Sequence, residues 1–152
     1  VNNPAAGGHS AANRIAQING LSAILGGATV FDSGNILLGG GGSDRIQGLG
    51  GDDIIDGDAF LNTRIVANGT TSFDHMTSAL RTAMQNGTYT PDQLTIVREI
   101  LSNNSGIDTA VYNDVFANYV VTVSSSTGTI FDDHANVAAS AVDEGVDTLR
   151  DI

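Results

Sequence analysis

Apolar positions divide the chain into stretches of different period. Ile15 and Ile18, then Leu21, Ile24 and Leu25, recur at helical steps, which predicts one or two short helices over 11–25. Phe73, Met76, Leu80, Ala83 and Met84 form another three-and-four stripe, predicting a helix over 72–86. Ser72 is its expected N-cap and Asn86-Gly87 its stop. Thr90-Pro91-Asp92-Gln93 reads as a second start, with a capping threonine, proline at the first helical position and glutamine completing a capping box. Leu94, Val97, Ile100 and Leu101 give that second helix its apolar face, and Gly87-Thr88-Tyr89 joins the two as a hairpin. After Gly106 the period becomes two. Strands are expected at 108–112, 118–123, 129–131 and 146–150, with a turn at 124–128 and a loop over 132–145. Residues 1–10 read as a linker.

Between these stretches lies an island with no helical pattern. Residues 39–58 hold eight glycines and five aspartates, and each glycine inside a helix would cost about 1 kcal/mol. A fixed period runs through the island. At a spacing of nine, Gly42 aligns with Gly51, Asp44 with Asp53, and Ile46 with Ile55. Ser33, Asn35 and Leu37 fill the same slots one step earlier in a degenerate copy. The second full copy has Leu49 where a second glycine is expected, and the pattern ends at Ala59-Phe60-Leu61.

This is the arrangement G-G-x-G-x-D-x-U-x, with U a large apolar residue, and the segment resembles the RTX (haemolysin-type) calcium-binding repeat. The resemblance implies a parallel β-roll in which each nonapeptide gives a turn and a short strand, with calcium between successive turns. The chemistry is consistent with that. Calcium takes six to eight oxygens at about 2.3–2.6 Å, which glycine-rich turns supply as carbonyls and aspartates as carboxylates. The expected ligands are Asp44 and Asp53 through their side chains, Gly40, Gly42 and Gly51 through their carbonyls, and Asn35 and Asp58 at the edge sites. The apolar slots Leu37, Ile46 and Ile55 would point inward. Without the cation, stacked carboxylates repel, so binding the metal would supply folding free energy.

A wider stretch, about residues 31–152, is similar to the RTX region of large bacterial secreted proteins that carry animal-type haem peroxidase domains. It includes Gly51-Asp52-Asp53-Ile54-Ile55-Asp56-Gly57-Asp58, Gln93–Leu101, Gly106–Tyr112, Asn118–Thr122 and Gly145–Arg150. No catalytic constellation or haem-ligand pattern accompanies it, so a non-enzymatic module is expected. The resemblance implies an extracellular bacterial location, reached by type I secretion with a signal outside this segment. Folding would then await calcium outside the cell, where such sites bind at about 10⁻⁴–10⁻³ M.

Composition narrows the alternatives. Six arginines and no lysine stand against 15 aspartates and two glutamates, for a net charge of −11. That balance argues against a nucleic-acid or anionic-membrane partner. The absence of cysteine excludes a disulfide framework and thiolate metal sites. No run is long enough to span a membrane. The ends read as cut from a longer polypeptide, whose remainder is the expected partner.

Other polar groups are weaker candidates. His9, His75 and His134 fall in three unrelated segments with no H-x-x-x-H spacing. Asp132-Asp133-His134 and Asp143-Glu144 read as solvated loop, and Ser124–Ser126 lacks a nucleophile-elbow frame. Gly39–Gly42 lacks the G-K-[ST] ending of a phosphate loop. Asp108 and Asp147 share the context Gly-x-Asp-Thr and are read as pairing edges of the β-module, or else closing a terminal calcium site.

The expected fold is therefore mixed α+β. Residues 1–30 are linker and short helices, 31–60 a calcium-binding β-roll, 61–104 a helical hairpin capping the roll, and 105–152 a small antiparallel β-module. The expected function is calcium-dependent folding that stabilises a larger secreted protein. Two alternatives remain: a calcium-scaffolded module binding carbohydrate or a cell surface through Tyr112, Phe116, Tyr119 or Phe131, or a non-catalytic piece of an RTX-bearing peroxidase.

Overall fold

The computed structural model describes residues 10–31, 34–124, 127–132 and 144–152. Most of the linker at 1–10, the part of the expected loop at 132–145 that lies between Asp132 and Glu144, and His9 and His134 lie outside them. The architecture is mixed α+β, with short helices and several sheets. Among the described residues no helix is long and apolar enough to cross a membrane.

Both N-terminal helices form where the apolar spacing places them, as α1 (Ala11–Ala16) and α2 (Leu21–Ile24). The Ser10 hydroxyl caps α1 by accepting from the Asn13 amide. Three short strands follow, β1 (Ile36–Leu38), β2 (Arg45–Ile46) and β3 (Ile54–Asp56). They begin nine residues apart but do not pair in sequence order. β1 pairs with β3 in parallel, Ile36 opposite Ile54, while β2 lies in a different sheet. The pairing period is therefore eighteen residues, two repeats, and consecutive repeats fall in different sheets. β3 is buried along its whole length, with Ile55 completely inaccessible. Ile54 packs with Ile24, Leu25 and Ala59, and around them lie Ile15, Leu21, Phe31, Ile36, Leu38 and Ile100. The helices of 11–25 thus cover this sheet.

The helical hairpin expected over 72–101 is not formed. Its first half survives as α3 (Ser78–Gln85), capped by Thr77 rather than Ser72, with Leu80 fully buried. Thr71–Phe73 is a strand, β5. Its second half is also a strand, β6 (Leu94–Ser102). The start signal at Thr90 produces only a 3₁₀ turn at Pro91–Gln93, where the Gln93 side-chain oxygen accepts from the Thr90 amide at 2.9 Å. Thr95, Ile96, Val97 and Ile100 are β-branched and favour extended backbone. A partner decides the outcome: β4 (Ala59–Ala67), for which no element was expected, pairs with β6 over nine residues from Ala59–Ser102 to Ala67–Leu94. Arg64 Nε lies 2.8 Å from Glu99 Oε1 across this pair. β4 turns into β5 through Asn68 and Gly69, both at positive φ (51° and 71°).

The final third joins the earlier strands. β7 (Thr109–Ala110) pairs in parallel with β2, Arg45 opposite Thr109. β10 (Val146–Arg150) pairs in parallel with β3, Thr148 opposite Ile54. Between them, β8 (Tyr119–Ser124) and β9 (Thr127–Asp132) form an antiparallel hairpin that pairs on to β10. One sheet thus runs β1-β3-β10-β9-β8, a second β2-β7 and a third β5-β4-β6.

Candidate metal site in stacked glycine–aspartate turns

The parallel register brings residues two repeats apart into layers. Asn35, Asp53 and Asp147 immediately precede the paired positions of β1, β3 and β10, and Asp44 and Asp108 those of β2 and β7. In each layer the carboxylate caps the preceding one. The Asn35 amide donates to Asp53 Oδ1 at 2.6 Å, and the Asp53 amide to Asp147 Oδ1 at 2.8 Å. The Asp44 amide donates to Asp108 Oδ1 at 2.7 Å. Parallel backbone bonds begin from the same residues, with Ile54 to Asn35, Thr148 to Asp53 and Thr109 to Asp44 at 2.8–2.9 Å. One aspartate oxygen at each step thus continues the sheet ladder past its end.

The other oxygen is treated differently. Oδ2 of Asp44 and Oδ2 of Asp53 are buried without a hydrogen-bond partner. Asp53 is only 1% exposed. Leaving a buried polar group unsatisfied costs about 1–3 kcal/mol, and more when it is charged. Both oxygens lie against a glycine of their own repeat. A Cβ on Gly39 would sit 3.0 Å from Asp44 Oδ2, and one on Gly48 would collide with Asp53 Oδ2. Glycine five residues before the aspartate is what lets the carboxylate fold over its turn.

Backbone carbonyls crowd the same places. A Cβ on Gly34 would strike the Asp52 carbonyl, on Gly106 the Gly42 carbonyl, and on Gly145 the Gly51 carbonyl. Gly106 also sits at φ +103°, open to glycine at little cost. Carbonyl oxygens, glycine Cα atoms and carboxylates therefore meet between layers, the donor chemistry a hard oxygen-seeking cation requires. Among the described residues, no group of three or more His, Cys, Asp or Glu side chains is placed to hold a metal. Any ion here would draw largely on carbonyls.

The expected ligands fall into two columns. Asn35, Gly51 and Asp53 lie in one with Asp147; Gly40, Gly42 and Asp44 lie in the other with Asp108. Asp44 and Asp53, successive in the repeat, are not stacked neighbours. Asp58 stands apart in role: its Oδ1 accepts from the Ser105 amide at 2.8 Å and its carbonyl from the Asn103 amide at 3.1 Å, closing the base of the β4–β6 excursion. Asp108 and Asp147 were expected first as pairing edges of the β-module and only alternatively as closing a terminal calcium site. The signal that finds them is the twice-used Gly-x-Asp-Thr, which repeats the Gly-x-Asp of both nonapeptides without their flanking glycines.

Asp147 also connects the turns to the aromatic residues. Its Oδ2 accepts from the Tyr112 hydroxyl at 2.7 Å, and its pKa is raised, chiefly by burial. Tyr119 donates to Glu144, and burial with that bond pushes its phenol up to about 12. Glu144 further accepts from Asn113 Nδ2 at 2.9 Å. Asp56 is likewise raised by burial, although Ala59 donates to its Oδ1. His75 is exposed on the approach to α3.

Comparison with family models, curated proteins and solved structures finds no significant match to this chain.

Proposed function

We propose that this chain is a calcium-binding module of RTX type, in which the strands of 36–56, 109–110 and 146–150 wind as a β-roll. The reading rests on one observation above the rest: two period-nine aspartates, Asp44 and Asp53, each bury an unpartnered oxygen in a glycine turn. A cation would satisfy those oxygens and offset the repulsion between carboxylates. Calcium suits the donor set, since it accepts carbonyl and carboxylate oxygens in irregular number. Asn35, Gly51, Asp53 and Asp147 would serve one column of turns, and Gly40, Gly42, Asp44 and Asp108 the other. Asp58 would support an edge. The ion's contribution is electrostatic, and the module has no chemical step.

The biological role is calcium-dependent folding that stabilises a larger secreted bacterial protein after export. Supporting this are the acidic, cysteine-free composition and the shortness of the parallel strands, two to five residues each. Strands so short gain little from their own ladders. Calorimetric titration with calcium, alongside circular dichroism in chelator, tests the proposal. Saturable calcium binding with a gain of structure is expected. Identical spectra and melting in chelator and in millimolar calcium would overturn it.

A further inference from the structure

A cleft of about 290 Å³ lies beside the hairpin, lined by Ala110, Tyr112, Asp114, Phe116, Tyr119 and Val121. The calcium reading makes no use of it. The Tyr112 and Tyr119 rings stand 5.2 Å apart at 59°, a tilted pair. Phe116 begins a 3₁₀ turn, Phe116–Asn118, and is 80% exposed. A large apolar ring held in water at the edge of an aromatic cleft invites a ligand to cover it.

Among the described residues, the charged groups lining the cleft or bonded to its tyrosines are acidic. Tyr112 donates to Asp147 and Tyr119 to Glu144, and these carboxylates are only 1% and 2% exposed. Asp114 lines the cleft directly. None of the lining residues is basic. A phenol that donates to a carboxylate gains electron density in its ring, which deepens the negative π face. The hydroxyls are already committed, and Asp114 accepts from the Val115 amide at 2.6 Å and from Asn118 Nδ2 at 2.8 Å. Those commitments suit a neutral sugar poorly, because a sugar must exchange hydrogen bonds with its site. They suit an organic cation well, because ring faces and nearby carboxylates attract it without directional bonds.

We infer that this cleft binds an organic cation of the alkylammonium class, held by Tyr112, Tyr119 and Phe116 with Asp114 as counter-charge. The inference does not rest on the calcium reading.

The test follows aromatic proton resonances of the full chain at constant millimolar calcium. Tetramethylammonium is titrated against its neutral isostere tert-butyl alcohol, with a glucose disaccharide as a third probe. Tetramethylammonium should shift the Tyr112, Tyr119 and Phe116 rings saturably and bind about tenfold more tightly than the alcohol. Phe116→Ala, at an exposed position, should weaken it severalfold with unchanged circular dichroism. Asp114→Asn should weaken it while sparing the alcohol. Equal binding of cation and alcohol, no saturable shift with tetramethylammonium, or saturable shifts from the disaccharide alone would each overturn the inference. Full affinity in Phe116→Ala would do so as well.

Discussion

Two sheets of this molecule solve the same problem in opposite ways. The β5-β4-β6 sheet, spanning Ala59–Ser102, rests on nine consecutive paired positions between two long strands. Its ion pair, Arg64–Glu99, is partly buried and directly hydrogen-bonded. The stacked turns of 34–57, with 106–110 and 145–150, have strands of two to five residues. They extend their ladders with aspartate side chains and bury two carboxylate oxygens with no partner. The first region meets its hydrogen bonds chiefly backbone to backbone, within the sheet and, at the edge of β6, with Asn19. The second leaves two carboxylate oxygens open inside its glycine–aspartate turns, the observation behind the proposed cation.

The largest effect should come from removing calcium, and it should separate the two regions. Amide hydrogen exchange of the full chain in chelator is expected to lose protection at 36–38, 54–56, 109–110 and 146–150. The β4–β6 ladder should keep more of its protection, since local stability follows local bonding. Uniform loss across both sheets would show one cooperative unit and remove the contrast.

Next comes the double substitution Asp44→Ala with Asp53→Ala. It should abolish the calcium-induced rise in Tm, because each column then loses its unpartnered carboxylate. Asp92→Ala, in the exposed turn before β6, should leave the rise intact. An undiminished shift in the double variant would show that the turns do not bind calcium.

Much of the contrast was readable from sequence, but unevenly. Period nine identified the turns and the slot of Ile55, which is completely buried. It could not give pairing partners, because a linear repeat does not say that stacking neighbours are two copies apart. Asp108 and Asp147 stand 64 and 94 residues from the residues they cap, with a strand-rich excursion intervening, so only their shared Gly-x-Asp-Thr marked them. At 94–101 the helical expectation fails for a different reason. Leu94, Val97, Ile100 and Leu101 fit a helical stripe, but Thr95, Ile96 and Val97 resist helix, and β4 offers nine partners. Asn68-Gly69, in the turn from β4 to β5, is the hairpin signal adjoining that partner. Pairing across the chain overrode a local period.

A third comparison concerns glycine. Gly106→Ala should cost about 2–4 kcal/mol, because its Cβ would collide with the Gly42 carbonyl and its φ is left-handed. Gly87→Ala after α3, also at positive φ (+78°) but with no atom within 4 Å of the added Cβ, should cost only about 1 kcal/mol. Urea melts of the two variants in calcium measure the difference. Equal losses would mean that backbone angle alone governs both sites and that close layer stacking contributes nothing.

The smallest effect is at high pH. The Tyr119 phenol is raised to about 12 in the folded chain, by burial and its bond to Glu144, against an ordinary value near ~10 when unfolded. The folded state therefore holds its proton longer. The stability this group contributes is complete below pH ~10 and is lost as pH rises through the folded value. Tyr119→Phe should be less stable at neutral pH by the lost hydrogen bond, yet fall away less steeply in base. Melting temperatures of the two proteins, followed from neutral to strongly alkaline pH at fixed calcium, should converge. Parallel curves would mean that Tyr119 ionises alike in both states, and that its bond to Glu144 does not tie the start of β8 to the segment before β10.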